Sequence, residues 1–535
     1  MRLLYTAVAI PKMAYAADVW YSPPHRANNT ATKRSGMIKF TNRIQSAQRR
    51  ITIPMLGAMR STAGDVLNAH AFLPPPHLLF LNILTRSATR LLTLPPSHPL
   101  HKPSQRAAKQ IVKRHRSPLH ILFFTTHVEP SPYETILSCR RRRNYNFLGH
   151  THIDDDRVQA IAYANNLRGV TIFTDGSGYE KRIGAAAVMI QNGKVLQTLH
   201  YHLGRETTHT VYEAEAVAII LGLHLLITSG KKLNQVSIGT DNQAVLLGMR
   251  NQKSKPAHYL MDKIQDLIED FQVAQARLRN IEVEGYRMGQ GRTKLDDGSL
   301  GWIDWELKSW SKLNFVWTPG HEDITGNEIA DREAKRAAKG HSSTNNLLPA
   351  FLRRKPLLVS ISATRQFLKK KIKARWQADW KSSPRFLRMK HIDHHLPSDD
   401  FLDIISQLRR NQSSLLIQLR TGHIPLNQTL YRIKRSATPF CPHCRPDVIE
   451  TVHHLLLYCP HYARARRLLQ AHLGRQSSSL SFLLSNRHGI PDLLRFIHNT
   501  NRLRATFGDV RPPEDFEFKV KTPKKTHSRD NNPPE

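Results

Sequence analysis

The chain has 535 residues, 40% of them hydrophobic, a length and apolar content that call for roughly two to four domains with their own cores and exclude wholesale disorder. Its four cysteines, Cys139, Cys441, Cys444 and Cys459, are too few for a disulfide-stapled scaffold. No uninterrupted apolar run reaches the roughly 18 residues of a membrane span, so a membrane is not an expected partner.

The 79 Lys and Arg exceed the 42 Asp and Glu by 37, and the excess is unevenly placed. Residues 1–150 carry 22 basic against 4 acidic side chains, and residues 341–535 carry 34 against 14, whereas residues 151–340 carry 23 against 24. Two basic flanks around a nearly neutral middle are the footprint of a polyanion-binding protein, which points to nucleic acid as the partner. Basic runs such as Arg140-Arg141-Arg142-Arg143 also serve as import signals, so an intracellular, nuclear location is expected.

Met1 to Trp20 begins like a signal peptide, with Arg2 and an apolar Leu3 to Ile10. Pro11-Lys12 interrupts it, and an amphipathic helix is the preferred reading. Helical pieces broken by Pro74-Pro75-Pro76 and Pro95-Pro96 fill residues 1–125, followed by a linker over 126–165. Beyond it, Gly169 to Thr174 is a β-branched strand feeding a turn at Asp175-Gly176-Ser177-Gly178. Ile183 to Ile190 and Lys194 to His200 are strands joined by an Asn192-Gly193 hairpin turn. Thr210 to Thr228 has helical spacing, Gln235 to Gly239 is a strand, Gln243 to Met249 and Lys255 to Arg279 are helices, Leu313 to Trp317 is a strand and Gly326 to Lys339 a helix. Residues 284–310 are an inserted loop. The domain over 166–341 is therefore α/β. Residues 342–435 form a basic helical region whose Trp376 and Trp380 are expected in a core, 436–505 a small cysteine-containing module with C-terminal helices, and 506–535 a disordered tail.

Four carboxylates stand at privileged places in the α/β domain: Asp175 after the first strand, Glu215 in the first helix, Asp241 after the fourth strand and Asp331 in the last helix. Such a cluster repels itself unless hard cations neutralise it, which suits Mg²⁺ or Mn²⁺, and two ions could activate water and stabilise the leaving oxygen of a phosphodiester. Glu213 rivals Glu215, but the two point about 200° apart on a helix, so only one faces the cluster.

Thr174-Asp175-Gly176-Ser177, Tyr212-Glu213-Ala214-Glu215, Thr240-Asp241-Asn242-Gln243 and Thr318-Pro319-Gly320-His321 with Gly326-Asn327-Glu328-Ile329-Ala330-Asp331 resemble the ribonuclease H family over about residues 168–340. The resemblance implies a mixed five-stranded sheet and cleavage of the RNA strand of RNA–DNA hybrids. It implies Asp175, Glu215, Asp241 and Asp331 as metal ligands, with His321 assisting proton transfer or product release. Gly176, Ser177 and Asn242 are candidate contacts to the substrate, whose 2′-hydroxyl distinguishes RNA from DNA.

Cys441-x2-Cys444-x9-His454-x4-Cys459 has the number and spacing of a tetrahedral Zn²⁺ site, with His453 and His461 as competing ligands. Leu419 to Asn427 and Glu450 to Pro460 resemble the segment after ribonuclease H in fungal non-LTR retrotransposon polyproteins, which implies His454 as the ligand. Leu4 to Trp20 and Gln48-Arg49-Arg50 resemble the end of the reverse transcriptase of those elements. No aromatic-x-Asp-Asp motif occurs, so a fragment without a polymerase centre is expected. The alternatives are a catalytically silent nucleic-acid-binding remnant and a transposase- or integrase-like nuclease of the same fold.

Overall fold

The β-branched and alanine-rich runs between residues 150 and 317 pair into one sheet. In the computed structural model, residues 1–26, 34–110, 112, 116–137, 148–250, 253–280, 311–320, 322, 324–444 and 447–519 are described. The expected insertion at 284–310, His321, and residues 520–535 of the expected tail lie outside them. The chain divides into two compact units, residues 85–370 and residues 1–84 together with 371–535.

The first unit contains β1 (His150–His152), helix α1 (Arg157–Asn165), β2 (Val170–Tyr179), β3 (Arg182–Gln191), β4 (Lys194–Arg205), α2 (Val211–Thr228), β5 (Gln235–Thr240), α3 (Gln243–Arg250), α4 (His258–Leu278), β6 (Lys312–Trp317) and α5 (Thr325–Ala338). The sheet order is β1-β6-β5-β2-β3-β4. The β2-β3-β4 meander is antiparallel, and β5, β6 and β1 add in parallel. The expected five strands are thus six: β1, inside the stretch expected as a linker, pairs with Asn314 to Val316 of β6.

A second correction concerns Asp175 to Gly178. These residues are strand, paired with Ile183 to Ala186, and the turn lies at Glu180-Lys181, both with left-handed φ. The glycine at 176 serves close approach: a Cβ there would sit 2.4 Å from the Glu215 backbone nitrogen. Gly184 does the same on β3, where a Cβ would lie 2.2 Å from the Ala338 nitrogen of α5. Alternation along the strands separates two faces. Ile172 and Ala187 join the core with α2 and α4, while Phe173 and Val188 pack against Ala330 of α5 and Ile324 at its start. Helix α2 is long and apolar enough to cross a membrane. Its apolar side chains from Ala214 to Leu226 are instead core, which is why the helix is hydrophobic all round.

The second unit is mainly helical. Leu56, Leu67, Phe401, Leu416, Leu455, Leu493 and Phe496 share its core with Cys441 and Cys459. The fully buried Arg420 pairs with Asp393 and donates to the Leu484 carbonyl at 2.9 Å. Trp376 packs against Phe72 and Trp380 against Phe386, both as core residues. The stretch expected to be a disordered tail from residue 506 is tied down as far as 519. Arg495 donates to the Pro513 and Glu514 carbonyls, and the Lys519 amide donates to Gln407. The stretch lacks apolar periodicity, and it is held instead through backbone carbonyls offered to Arg495 of the helix Gly489–Thr500.

Candidate active site and metal centre

Parallel pairing between β2 and β5 ends at Thr174 opposite Thr240. The next residues, Asp175 and Asp241, therefore emerge side by side where the strands diverge. Helix α2 crosses above them, brought close by Gly176, and delivers Glu215. Donor oxygens of Asp175, Glu215 and Asp241 all lie within 4.8 Å of one another. Asp175 and Glu215 are buried, at 6% and 3% exposure. The Thr240 hydroxyl donates to Glu215 at 3.4 Å, and the Asp175 Oδ2 is buried without a hydrogen-bond partner. Burial, then Asp241 and Asp331, push the Asp175 carboxyl up to about 7. Burial and the charges of Asp241 and Asp175 hold Glu215 well above the usual carboxylate range. Three carboxylates this close must share protons or cations.

Glu213 is elsewhere. It accepts from the Thr210 amide at 2.7 Å and closes a capping box with Thr210 at the start of α2. Asp331, expected as a fourth ligand, stands outside the close group. Its Oδ2 receives the Lys335 ammonium at 2.6 Å, although its charge is felt at Asp175. Gly176 is buried under α2, and Ser177 is half-buried in the strand. The Asn242 Oδ1 accepts from the Ala244 and Val245 amides and caps α3, so only its amide nitrogen can address a substrate.

Trp317 and Arg157 support the site and were not singled out in the sequence, while Gly320 belongs to the Thr-Pro-Gly-His run. The Trp317 indole donates to the Asp241 carbonyl at 3.1 Å, and Gly320 lies so close that a Cβ would meet Asp241 Oδ2 at 2.8 Å. Arg157, within the expected linker, donates to the Gly320 carbonyl at 2.9 Å and pairs with Glu322. It holds the residues on either side of His321. Trp317 immediately precedes the Thr-Pro-Gly-His run and was the available signal; nothing local marks Arg157, whose role depends on residues 163 and 165 positions away.

The second group of donors is Cys441, Cys444, His454 and Cys459. Sγ separations are 3.9 Å for Cys441–Cys459 and 3.7 Å for Cys444–Cys459, and Cys444 Sγ lies 3.4 Å from His454 Nε2. Two tetrahedral Zn–S bonds of about 2.3 Å place sulfurs about 3.8 Å apart, so the donor set fits. The competing histidines are turned to other contacts: His461 stacks on His443 at 3.7 Å, and His453 lies 4.8 Å from the Tyr458 ring. A short hairpin positions the first two cysteines, with the Cys441 amide donating to Val448 and the Glu450 amide to Pro439. Glu450, 1% exposed, is held by both arms of Arg502 at 2.7 Å. Burial and the neighbouring thiols push Cys444 up to about 12, so a cation is required for thiolate ligation at neutral pH.

Residues 173–284 match the family model described as reverse transcriptase-like. Among solved structures, this chain is similar to the N-terminal RNase H domain of a Mycobacterium tuberculosis protein, solved as a fusion with maltose-binding protein: identity 20%, TM-score 0.22, covering 32% of this chain and 95% of that one. RNase H1 of Halobacterium salinarum matches at 16% identity and TM-score 0.19, over 32% of this chain and 98% of that one. LC11-RNase H1, in complex with an RNA/DNA hybrid, matches at 17% and 0.21, over 31% and 98%. No curated protein matches the chain.

Proposed function

We propose that the chain is a divalent-metal-dependent endoribonuclease that hydrolyses the RNA strand of RNA–DNA hybrids, in a protein derived from a retrotransposon. The observation that carries this reading is the convergence of Asp175, Glu215 and Asp241 at the point where β2 and β5 diverge, with one buried carboxylate oxygen unpartnered. These three side chains would hold two Mg²⁺ or Mn²⁺ ions, with Asp331 joining once released from Lys335. When bound, such ions supply Lewis-acid activation of water and neutralise the charge developing on the phosphodiester. The chain's own residues orient the carboxylates: Thr240 fixes Glu215, Trp317 fixes the Asp241 backbone, and Arg157 fixes the segment flanking His321, which would carry protons.

The basic arms would collect the nucleic acid by salt-sensitive phosphate contacts, and nuclear localisation follows from the same charge. Cys441, Cys444, His454 and Cys459 would hold one Zn²⁺ that stabilises the C-terminal module. The retrotransposon origin is supported by the sequence likeness on both sides of the domain and by the reverse transcriptase-like family model.

Cleavage of a labelled RNA–DNA hybrid with Mg²⁺, by the wild type and Asp241→Asn, tests the activity. The wild type should cut the RNA strand, and the variant should bind the hybrid without cutting. Hybrid binding with no cleavage at any Mg²⁺ or Mn²⁺ level overturns the enzyme and leaves the silent remnant, a reading favoured by the Lys335 ammonium on Asp331.

A further inference from the structure

Leu419 to Asn427, one of the segments that carry the sequence likeness, contributes to neither the carboxylate cluster nor the zinc donors. In the second unit, positive charge gathers around its middle. The helix Arg410–Thr421 ends at Gly422, whose left-handed φ of +66° turns the chain into the half-buried His423. The turn admits Arg388 of the helix Phe386–Lys390, since a Cβ on Gly422 would lie 2.7 Å from the Arg388 Nη2. Ser61 Oγ stands 2.9 Å from His423 Nδ1 and fixes the imidazole. With that hydroxyl donating to Nδ1, Nε2 is a donor.

Arg432 closes the helix Asn427–Arg432, which begins where the segment ends. Burial, then Arg388, Arg432 and Arg385, hold the His423 imidazole below its usual range, and burial with Arg432 does the same to the Arg388 guanidinium. Arg385 is balanced by Asp65, 3.6 Å away. Among the described residues, the guanidinium groups of Arg388 and Arg432 have neither an ion pair nor a hydrogen bond, and both residues are exposed. The carbonyl end of the helix Arg410–Thr421 favours one cation at this turn, but not two guanidiniums beside an imidazole. Each guanidinium is a planar fork of five N–H donors that suits a phosphate, and the basic excess of residues 341–535 favours a polyanion over a lone carboxylate.

We propose that Arg388, Arg432 and His423 clamp one phosphodiester of a nucleic-acid backbone, positioned by Ser61 and the Gly422 turn. The clamp rests on the reading of the basic flanks as nucleic-acid holders, and it is independent of whether the carboxylates cut.

Fluorescence anisotropy of the full chain with labelled duplex DNA, RNA–DNA hybrid and single-stranded RNA, over a range of salt and without added divalent cation, tests this. Arg388→Gln and Arg432→Gln should each weaken all three ligands about tenfold near physiological salt, because a phosphate contact carries no sequence information. Each should also flatten the duplex salt dependence by about one unit of log–log slope. Since both arginines meet one phosphate, the double variant should lose about one unit as well. In the wild type, phenylglyoxal modification read by mass spectrometry should find Arg388 and Arg432 protected by the duplex. Unchanged affinity in the double variant, a loss confined to one ligand, or a slope loss of about two units overturns the clamp and leaves the flanks as nucleic-acid holders. A wild type that binds none of the three ligands overturns the flank reading and the clamp together. Protection of both arginines by about 1 mM inorganic phosphate alone overturns the clamp in favour of a free-phosphate site. Should a variant fail to fold, the wild-type protection pattern decides, and two arginines still reactive in the saturated complex sink the proposal.

Discussion

The Lys335 ammonium lies 2.6 Å from Asp331 Oδ2, one turn further along the same helix, and its charge opposes the rise that burial, Asp241 and Asp331 cause at Asp175. It is a tethered counter-ion for the outermost of the four expected carboxylates. Removing it by Lys335→Ala frees Asp331 for metal. An exposed pair of this kind is worth about 0.2–1 kcal/mol, so Mn²⁺ affinity measured by electron paramagnetic resonance should rise about two- to fivefold. Unchanged or weaker Mn²⁺ binding in the variant would show that Asp331 takes no part in metal capture.

The buried carboxylates give a pH signature whose sign is fixed by Asp175. Its carboxyl is pushed up to about 7 in the folded chain, chiefly by burial and then by Asp241. The unfolded chain loses this proton near pH 4. Between those values the folded state binds more protons, so this group's contribution to stability falls as pH rises from about 4 to 7. Buried histidines act oppositely: burial holds His209 down to about 4, so its contribution grows as pH rises over much the same range. Comparison with Asp175→Asn removes the histidine effect, because both proteins retain it. Without metal, the variant's melting temperature should gain on the wild type from pH 5 to pH 8. Mn²⁺ should raise the wild-type Tm more at pH 8 than at pH 5, since ligation competes with the proton. A Tm difference that is flat with pH would place no raised carboxyl at this position.

Zinc should be present at one ion per full-length chain and be lost in Cys444→Ser, with metal analysis as the readout. Because burial and adjacent thiols raise Cys444, binding must release protons, and apparent affinity should fall steeply below neutral pH. Arg502→Ala tests the support beneath the site differently. It leaves the buried Glu450 without its bidentate partner, at a cost of about 3–5 kcal/mol, seen in denaturant unfolding of the second unit. Zinc retained unchanged in Cys444→Ser would refute the ligand set.

Much of this was legible in the sequence because three of the carboxylates sit next to a local signal: a strand pattern before Asp175 and Asp241, and helical spacing over Thr210 to Thr228 around Glu215. The helical offset between Glu213 and Glu215 was enough to expect that only one meets the cluster, and Glu213 is the residue turned to the cap. What stayed hidden depends on distant pairing. His150 to His152 has no periodicity of its own and becomes a strand only because β6 offers an edge. Glu134 is likewise unremarkable in sequence, yet its buried carboxylate accepts from the Ala257 and Ile361 amides. The compact unit therefore extends well past residues 166 and 341, on both sides of the segment that carries the family motifs.

Gly176 was expected at the substrate, and its position beneath α2 changes the consequence of replacing it. A Cβ at 176 would lie 2.4 Å from the Glu215 nitrogen, 2.8 Å from the Ala214 carbonyl carbon and 2.9 Å from the Ala214 Cβ. The first two are backbone atoms that no side-chain rotation can move. Gly176→Ala must therefore push helix α2 away from β2 and carry Glu215 out of reach of Asp175 and Asp241. Overpacking of this kind costs about 1–3 kcal/mol, so the variant should fold with a lowered melting temperature. It should lose Mn²⁺ affinity and hybrid cleavage together while hybrid binding, carried by the basic flanks, stays within about twofold. A Gly176→Ala variant that keeps Mn²⁺ affinity and cleavage but loses hybrid affinity would return Gly176 to the role of substrate contact.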